Sequence, residues 1–544
     1  MEYCELLDLL VDEQNGFRRN RSCIDHIYTL TSLIQNRYSE NKSTFCCFID
    51  MQKAFDWVDR DLLFFKLLEY NIDGKIYNCI KAMYNHPISC IKLNSNVTDW
   101  FPTESGVRQG DSLSPTLFAI FIDDLAKEMK DLGIGINIDN DKICILLFAD
   151  DIVILADDEV KLQMLLEFTN EWCKKWRMKV NIDKTKVIHF KKKSTAETNV
   201  RFYLGDEEIE KVDKYKYLGI YLDEHLDYRT IANTLSGAAG RALGSVISKF
   251  KAFKNVGFQT FSKLYQSGVV PILDYCSGIW GFKNRDTCNR VQQRALRYYL
   301  GVHSKTPILA LEGDTGWLNT EVRRHTEMLR FWNRIIKMDP TRLTRKVFEI
   351  DYRKCKNNWC SEIKHIFEKI NKSDIYYDKH VCNIHEMQQC LNKVFTEKWV
   401  NDVQIKPKLR TYIQFKNVYC TEDYVKFCIP RQDRSLLAQI RLGILPLHVE
   451  VGRFKGTKLE DRTCSLCNSG EIEDEYHFIS VCKEYDIIRQ TLYNKVNEKL
   501  NTFNEMDNRE KFIFILKNEW KLLSKYLVSA WSIRNSKLYI TEDN

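Results

Sequence analysis

Glycine and proline are scarce in this 544-residue chain, at 22 and 9, which excludes a collagen-like or low-complexity polymer. No apolar stretch reaches the roughly 18 residues of a membrane-spanning helix. The strongest, ICILLFADDIVILA (143–156), is broken in its middle by two aspartates. A secretory leader is also missing, because Met1 is followed by Glu2, Glu5 and Asp8 rather than by a basic start and an apolar run. Neither sign of charge dominates: Lys and Arg outnumber Asp and Glu by 81 to 74. A polyanionic partner is therefore permitted without being demanded. Together these absences predict a soluble, intracellular protein that is not secreted and has no membrane partner.

Hydrophobic residues make up 44 % of the chain, enough for a sizeable core and for several domains. The 19 cysteines are mostly scattered singly, as at Cys4, Cys79, Cys144 and Cys276. In a reducing compartment a cysteine cluster reads first as a metal site.

Up to about residue 225, short apolar runs alternate with amphipathic helices, the pattern of an α+β domain. FCCFID (45–50) reads as a buried strand, followed by a helix carrying Leu62, Leu63, Phe65 and Leu67. ISCIKLN (88–94) is strand-like. SPTLFAIFIDDLAKEMKDLG predicts a helix capped by Ser114, with Pro115 in its first turn and Gly133 at its end. ICILLF and DIVILA predict a hairpin, 159–176 a helix, and MKVN and KVIHF two strands around a turn at Asn181–Lys184. From about 230 helical periodicity takes over. A short Cys/His segment interrupts it near 455–490, and the last stretch is again helical.

The hairpin at 143–156 is the most informative piece. Its arms are apolar enough for a core, yet Asp150 and Asp151 join them. Adjacent carboxylates repel each other and are costly to desolvate, a conflict that a cation removes. The bland alternative is a solvated polar turn. A second strand, FCCFID, also ends in an aspartate, Asp50. Strands delivering Asp50 and Asp150 to one sheet edge would form a site for two magnesium ions, suited to in-line phosphoryl displacement. Between them, ESGVRQGDSLSPTLF (104–118) offers Gly106 and Gly110 for close backbone approach and Arg108 and Gln109 as donors, or is simply a structured turn before a helix.

In sequence order, FIDMQKAFD, GVRQGDSLSPTLF, LFADD, NIDKTK and YKYLGIYLD resemble motifs A to E of reverse transcriptases, and QNGFRRNRSCIDHI (14–27) resembles the fingers motif that precedes them in LINE-type, non-long-terminal-repeat retrotransposons. The resemblance covers about residues 10–225. It implies a right-hand polymerase palm with partial fingers (1–225), a helical thumb (226–330), a helical C-terminal region (331–455), a zinc knuckle (456–490) and a helical tail (491–544). It implies RNA-directed DNA synthesis from an RNA template, a DNA primer and deoxynucleoside triphosphates, with access to the nucleus. A remnant that binds nucleic acid without turnover is the alternative.

Carried over by position, Asp50, Asp150 and Asp151 match the catalytic, magnesium-binding carboxylates. Phe55 matches the aromatic residue that excludes a 2′-hydroxyl, or is a core phenylalanine. Gln109 and Gly110 match the segment beneath the templating base and nucleotide, and Arg108 beside them is a further substrate-binding candidate. Lys184 matches the motif D lysine, a proton donor to departing pyrophosphate, or is an exposed turn lysine. Tyr217, Leu218 and Gly219 match the primer grip. Family members carry further fingers strands upstream of QNGFRR, so the chain is expected to be N-terminally truncated, and it shows no endonuclease segment at either end.

In the helical part, Arg290, Arg294 and Arg297 share one face by spacing, and Lys249, Lys251 and Lys254 form a second basic stretch. In a thumb these would track phosphates; otherwise they are solvated helix faces. Cys464, Cys467, His477 and Cys482 form a C-x2-C-x9-H-x4-C pattern, a donor set suited to structural zinc. A folding role and nucleic-acid binding are equally open for it.

Overall fold

A computed structural model describes every residue except 140, 254–255, 283–285, 468 and 543–544. The chain forms two compact units. Unit 1 comprises Met1–Thr234, Cys276–Phe282 and Glu327–Cys382, and unit 2 comprises Leu235–Tyr275, Lys283–Thr326 and Asn383–Asn544. Among the described residues no helix is long and apolar enough to cross a membrane.

Unit 1 is built on a four-stranded antiparallel sheet of β1 (Thr44–Asp50), β2 (Ile145–Phe148), β3 (Asp151–Ala156) and β4 (Lys186–Phe190), in the order β4-β1-β3-β2. Six of the seven β1 residues are buried, so the strand is an unbroken apolar run rather than an alternating one. Phe45, Cys47 and Ile49 join Ile152, Ile154 and Val187 in a core with helices α3 (Ser114–Asp131) and α4 (Glu159–Lys175). On the alternate positions, Phe48 stacks on Tyr215 at 4.6 Å. That tyrosine belongs to a hairpin of β5 (Lys214–Tyr217) and β6 (Ile220–Asp223). Its tight turn puts both Leu218 (φ 43°) and Gly219 (φ 89°) in the left-handed region, the geometry of a two-residue hairpin.

Helix α1 (Cys23–Ser39) starts from a capping box of Ser22 and Asp25. The fully buried Asp25 also accepts from Arg334 Nη2 at 2.7 Å, and Tyr28 donates to Asp351 Oδ2 at 2.9 Å. These bonds and the helix Leu343–Lys354 fasten the returning segment 327–382 to α1 within unit 1. Helical periodicity marks that segment as amphipathic but cannot name what it covers.

Three local readings need correction. Ser114 does not cap α3: it is the first helical residue, and Asp111 Oδ1 takes the Leu113 N–H at 3.0 Å instead. Pro115 and Gly133 (φ 65°) sit at the start and just past the end as the pattern implied. MKVN forms no strand beyond a single bridge between Met51 and Val180, made by Gln52 N to the Lys179 carbonyl and Asn181 N to the Asp50 carbonyl, both at 2.8 Å, because the chain turns at once as Thr185 N closes on the Asn181 carbonyl. ISCIKLN is only two-residue strand pieces, Ile88–Ser89 and Lys92–Leu93, in an exposed ribbon. With neither face packed, longer pairing gains little.

Unit 2 is helical. At its centre the buried Asp314 is held by Arg441 Nε at 3.0 Å, Tyr412 at 3.0 Å and Tyr424 at 2.8 Å. A buried charge is tolerated in this way only when it is paired and fully hydrogen-bonded.

Candidate functional site

The sheet register brings two of the expected carboxylates together: Asp50 at the end of β1 is paired directly with Asp151 at the start of β3. Asp150 occupies the two-residue turn between β2 and β3, whose first residue, Ala149, is left-handed (φ 56°). Three carboxylates thus meet at one edge of a sheet whose interior is sealed by apolar packing. Burial raises the Asp150 carboxyl, with Asp50 adding to it. Burial, then the charges of Asp150 and Asp50, push Asp151 up to about 6. A neighbourhood that resists three negative charges suits a divalent cation, so the residues present fit magnesium.

A cationic partner at this edge is Lys184, whose Nζ lies 3.6 Å from Asp50 Oδ2. The turn 181–185 holds it there: Thr185 N closes on the Asn181 carbonyl at 2.9 Å, and Thr185 Oγ1 accepts from Asp50 N at 3.3 Å. Lys184 itself remains largely solvent-exposed.

A neighbouring loop is fixed through its backbone. Gly106 N donates to Val58 O and Val107 N to Phe55 O, both at 2.8 Å. A Cβ on Gly106 would fall 2.8 Å from the Phe55 and Asp56 carbonyl oxygens. Arg60 gathers the Thr103, Ser105 and Gly106 carbonyls on its guanidinium. Beyond this pinned stretch Arg108, Gln109 and Gly110 are exposed. Arg108 donates to Met83 O at 2.6 Å and Gln109 Nε2 to Asp56 Oδ1 at 3.0 Å, while Gly110 (φ 84°) has open space where a side chain would be. Phe55 is half-buried and stacks on Phe118 at 4.9 Å. Tyr217 is fully buried against Phe48 with its hydroxyl unpartnered, whereas Leu218 and Gly219 are progressively more exposed at the hairpin tip.

Sequence reasoning missed what lies behind the acidic turn. Gln14 is buried, and its Oε1 accepts from Gly16 N at 2.7 Å and from Ala149 N at 3.0 Å. Asn15 N donates to Leu147 O and Leu147 N to Glu13 O, both at 2.9 Å, so segment 13–15 seals the free edge of β2. A Cβ on Gly16 would lie 2.2 Å from Ala149 N. His26 adds a bond from Nε2 to Leu147 O at 2.9 Å. The signal was the QNG triplet with a histidine 12 residues after Gln14. Only the long-range pairing gives it meaning.

In unit 2, Cys464, Cys467, His477 and Cys482 place four ligand atoms within 4.8 Å of one another. A short ribbon (Cys464 N to Glu471 O at 2.8 Å) presents the first two, and the helical turn His477–Val481 presents the others. The Cys464–Cys482 sulfur separation is 4.0 Å, and Cys467 Sγ lies 3.4 Å from His477 Nε2. The edges of a tetrahedral zinc site are roughly 3.8 Å (S–S) and 3.5 Å (S–N), so the cluster fits such an ion and is far too wide for a disulfide. Cys482 keeps its proton against the Cys464 sulfur, which is held correspondingly low. Burial opposes a charge on His477, but Cys464 and Glu471 hold it up to about 9. Glu471 Oε2 lies 3.0 Å from His477 Nδ1, fixing the ring so that Nε2 faces the sulfurs.

The three basic positions of helix Asp286–Leu300 do not behave alike. Arg290 and Arg294 are exposed, but Arg297 is half-buried with its Nε unpartnered. Lys249 and Lys251 are exposed, and Lys254 lies outside the described residues.

Residues 3–222 match the family model described as reverse transcriptase (RNA-dependent DNA polymerase). The chain is 26 % identical over 367 residues to a probable RNA-directed DNA polymerase from transposon BS of Drosophila melanogaster, covering 62 % of this chain and 39 % of that protein. It is 28 % identical over 214 residues to the Pol polyprotein of the type-2 retrotransposable element R2DM of the same fly, covering 38 % and 20 %. To the RNA-directed DNA polymerase from mobile element jockey of Drosophila funebris it is 23 % identical over 285 residues, covering 51 % and 30 %. The chain thus spans well under half the length of these relatives.

Proposed function

We propose, from the premise that residues 3–222 belong to the reverse transcriptase family of the non-long-terminal-repeat type, that this chain extends a primer by RNA-templated addition of deoxynucleotides during retrotransposition. The observation that carries the reading is the pairing of Asp50 with Asp151 beside the Asp150 turn, at the open edge of a sealed sheet.

Asp50 and Asp150, with Asp151 beside them, would hold two magnesium ions, which supply a sink for the negative charge that develops on the attacking and leaving oxygens. The primer 3′-oxygen forms a bond to the α-phosphorus as its hydroxyl proton passes to solvent water. The bond from that phosphorus to the bridging oxygen breaks and releases pyrophosphate. Lys184, 3.6 Å from Asp50, is the group that hands a proton to the pyrophosphate. Phe55, braced by Phe118, limits the room for a 2′-hydroxyl. Arg108, Gln109 and Gly110 form the exposed bed for template and nucleotide. The β5–β6 tip at Leu218 and Gly219, anchored by Tyr217, seats the primer end. Arg290, Arg294 and Arg297 contact nucleic-acid phosphates. The Cys464–Cys467–His477–Cys482 cluster holds one zinc ion in a structural role.

Primer extension by the full chain on poly(rA)–oligo(dT) with magnesium tests the reading. Template-dependent DNA synthesis, lost on chelation, is the expected result. Nucleic-acid binding with no extension would replace it with a non-catalytic remnant.

A further inference from the structure

Arg297 points to a second feature of unit 2. It lines an open cavity of about 710 Å³ together with Tyr298, His303, Arg431, Gln432 and Ser435. No acidic residue lines this cavity among the described residues. Arg431 is exposed, lies 4.7 Å over the Tyr298 ring and has no ion-pair partner among the described residues. Its planar guanidinium is thus held in place by stacking rather than by a carboxylate, leaving its donors available. His303 accepts from Lys305 N at Nδ1 (3.1 Å), which puts the ring proton on Nε2 as a further donor. Gln432 is exposed, and helix Arg431–Arg441 begins here without a side-chain cap, so its first N–H groups are also unclaimed by a capping side chain. The Ser435 hydroxyl, in contrast, is committed to the Gly301 carbonyl at 2.6 Å.

The charge on Arg297 is poorly answered from behind. The acid beside it is Glu312, buried in helix Ile308–Thr315. Burial pushes Glu312 up to about 7 even against the pull of Arg297, so near neutral pH it is only partly ionised. A half-buried guanidinium with a weak counter-ion is costly unless an anion completes it from its exposed side.

We propose that this cavity is a phosphate site for a single nucleic-acid strand, with Arg297 and Arg431 as its paired cations and His303 and Gln432 as neutral donors. A strand is favoured over an isolated anion because exposed Arg294 and Arg290 continue along the same helix face, reaching about 10 Å from Arg297, enough for more than one phosphate of a strand. The site deepens the nucleic-acid reading given above and rests on it. It adds Arg431, His303 and Gln432 to a surface that helical spacing alone had drawn through three arginines.

The test is fluorescence anisotropy of the full chain with a labelled oligo(U) of about 20 nucleotides across a salt series. Arg431→Gln, Arg297→Gln and their double variant are compared with Lys455→Gln, an exposed lysine elsewhere in unit 2. Each pocket variant is expected to lower the slope of log K against log salt by about 0.7, the double by about 1.4, with on the order of fivefold weaker binding per site. Thermal midpoints guard against misfolding, and the exposed Arg431 keeps the test valid if Arg297→Gln unfolds. Slopes equal to that of Lys455→Gln in folded protein overturn the cavity site alone. A wild-type chain that extends a primer yet shows no salt-dependent binding to oligo(U) overturns the site while leaving the polymerase reading intact, and a chain with neither activity overturns both.

Discussion

The two clusters that can hold metal ions solve opposite problems. In unit 2 the three sulfurs and the imidazole are already drawn within 4.8 Å, with Cys464, Cys482 and His477 buried and Glu471 orienting the ring. Four such donors would close around one ion and leave no position free, as a structural site does. In unit 1 the donors are three like-charged carboxylates, partly exposed, and burial together with the neighbouring carboxylates raises Asp150 and Asp151. They stay at the open edge of the sheet because the backbone holds them there. The closed site would therefore gain stability from an ion, whereas the open one holds a repulsion that a cation would relieve. Chemistry belongs at the second kind of site.

Substitution at the acidic turn separates the two most sharply. Asp150→Asn is expected to reduce primer extension by at least about 1,000-fold, a loss on the order of 4 kcal/mol of transition-state stabilisation. RNA affinity should hardly change. Removing one of three repelling charges should leave the thermal midpoint unchanged or slightly raised. A midpoint that falls by several degrees, with extension lost only in proportion to unfolded protein, would turn Asp150 into a structural residue.

Cys467→Ser should do the reverse. Metal analysis is expected to find about one zinc per wild-type chain and substantially less in the variant. Limited proteolysis should open sites within 460–490 while unit 1 stays protected. Wild-type protein purified under reducing conditions without zinc would remove the closed site from the comparison.

The sequence showed the ends of this contrast better than its supports. Asp50, Asp150 and the cysteine spacing were legible because each is a chemical anomaly: charge at the end of an apolar strand, or paired thiols in a chain of scattered ones. Gln14 was not, because a buried glutamine carries no periodicity and its partner Ala149 lies 135 residues away. Glu471 was hidden within the acidic run EIEDE. The return of 327–382 to unit 1 was invisible for a related reason, since an amphipathic helix states that it has a partner and not which. Arg297 shares the face of Arg290 and Arg294 by helical spacing, but that spacing gave no hint of the cavity with Arg431 that half-buries it.

The hidden support makes the next prediction. Gln14→Met keeps length and removes the acceptor that joins Gly16 N to Ala149 N. If the open site depends on backbone placement, kcat should fall about 10- to 100-fold, as misplacing reacting groups by about 1 Å does. KM for nucleotide and RNA affinity should move little. Equal losses in binding and kcat would mean that the variant merely loosens unit 1. Phe55→Val should produce a smaller effect, a several-fold rise in ribonucleotide incorporation in a competitive assay. Unchanged sugar discrimination would assign Phe55 to packing against Phe118 alone.

The smallest effect is on stability and comes from His26. Burial lowers His26 to about 4 from its ordinary 6.5, despite the opposing bond to the Leu147 carbonyl. Its Nδ1 is buried without a partner, so the neutral ring is the form that fits beneath β2. Between those two values the unfolded chain binds the proton and the folded chain does not. The stability held by the neutral ring is therefore complete above about 6.5, declines as pH falls toward 4 and is lost by then. Over the range from about pH 7.5 to 6, this one group costs about 1 kcal/mol. His26→Gln keeps an N–H donor for Leu147 without titrating, so it should flatten the denaturation midpoint of unit 1 across that range. The transition of the Cys/His region in unit 2 should be unaffected by this substitution. If the wild-type and His26→Gln midpoints fall in parallel on acidification, the acid sensitivity of unit 1 lies elsewhere, and His26 supports the turn by shape alone.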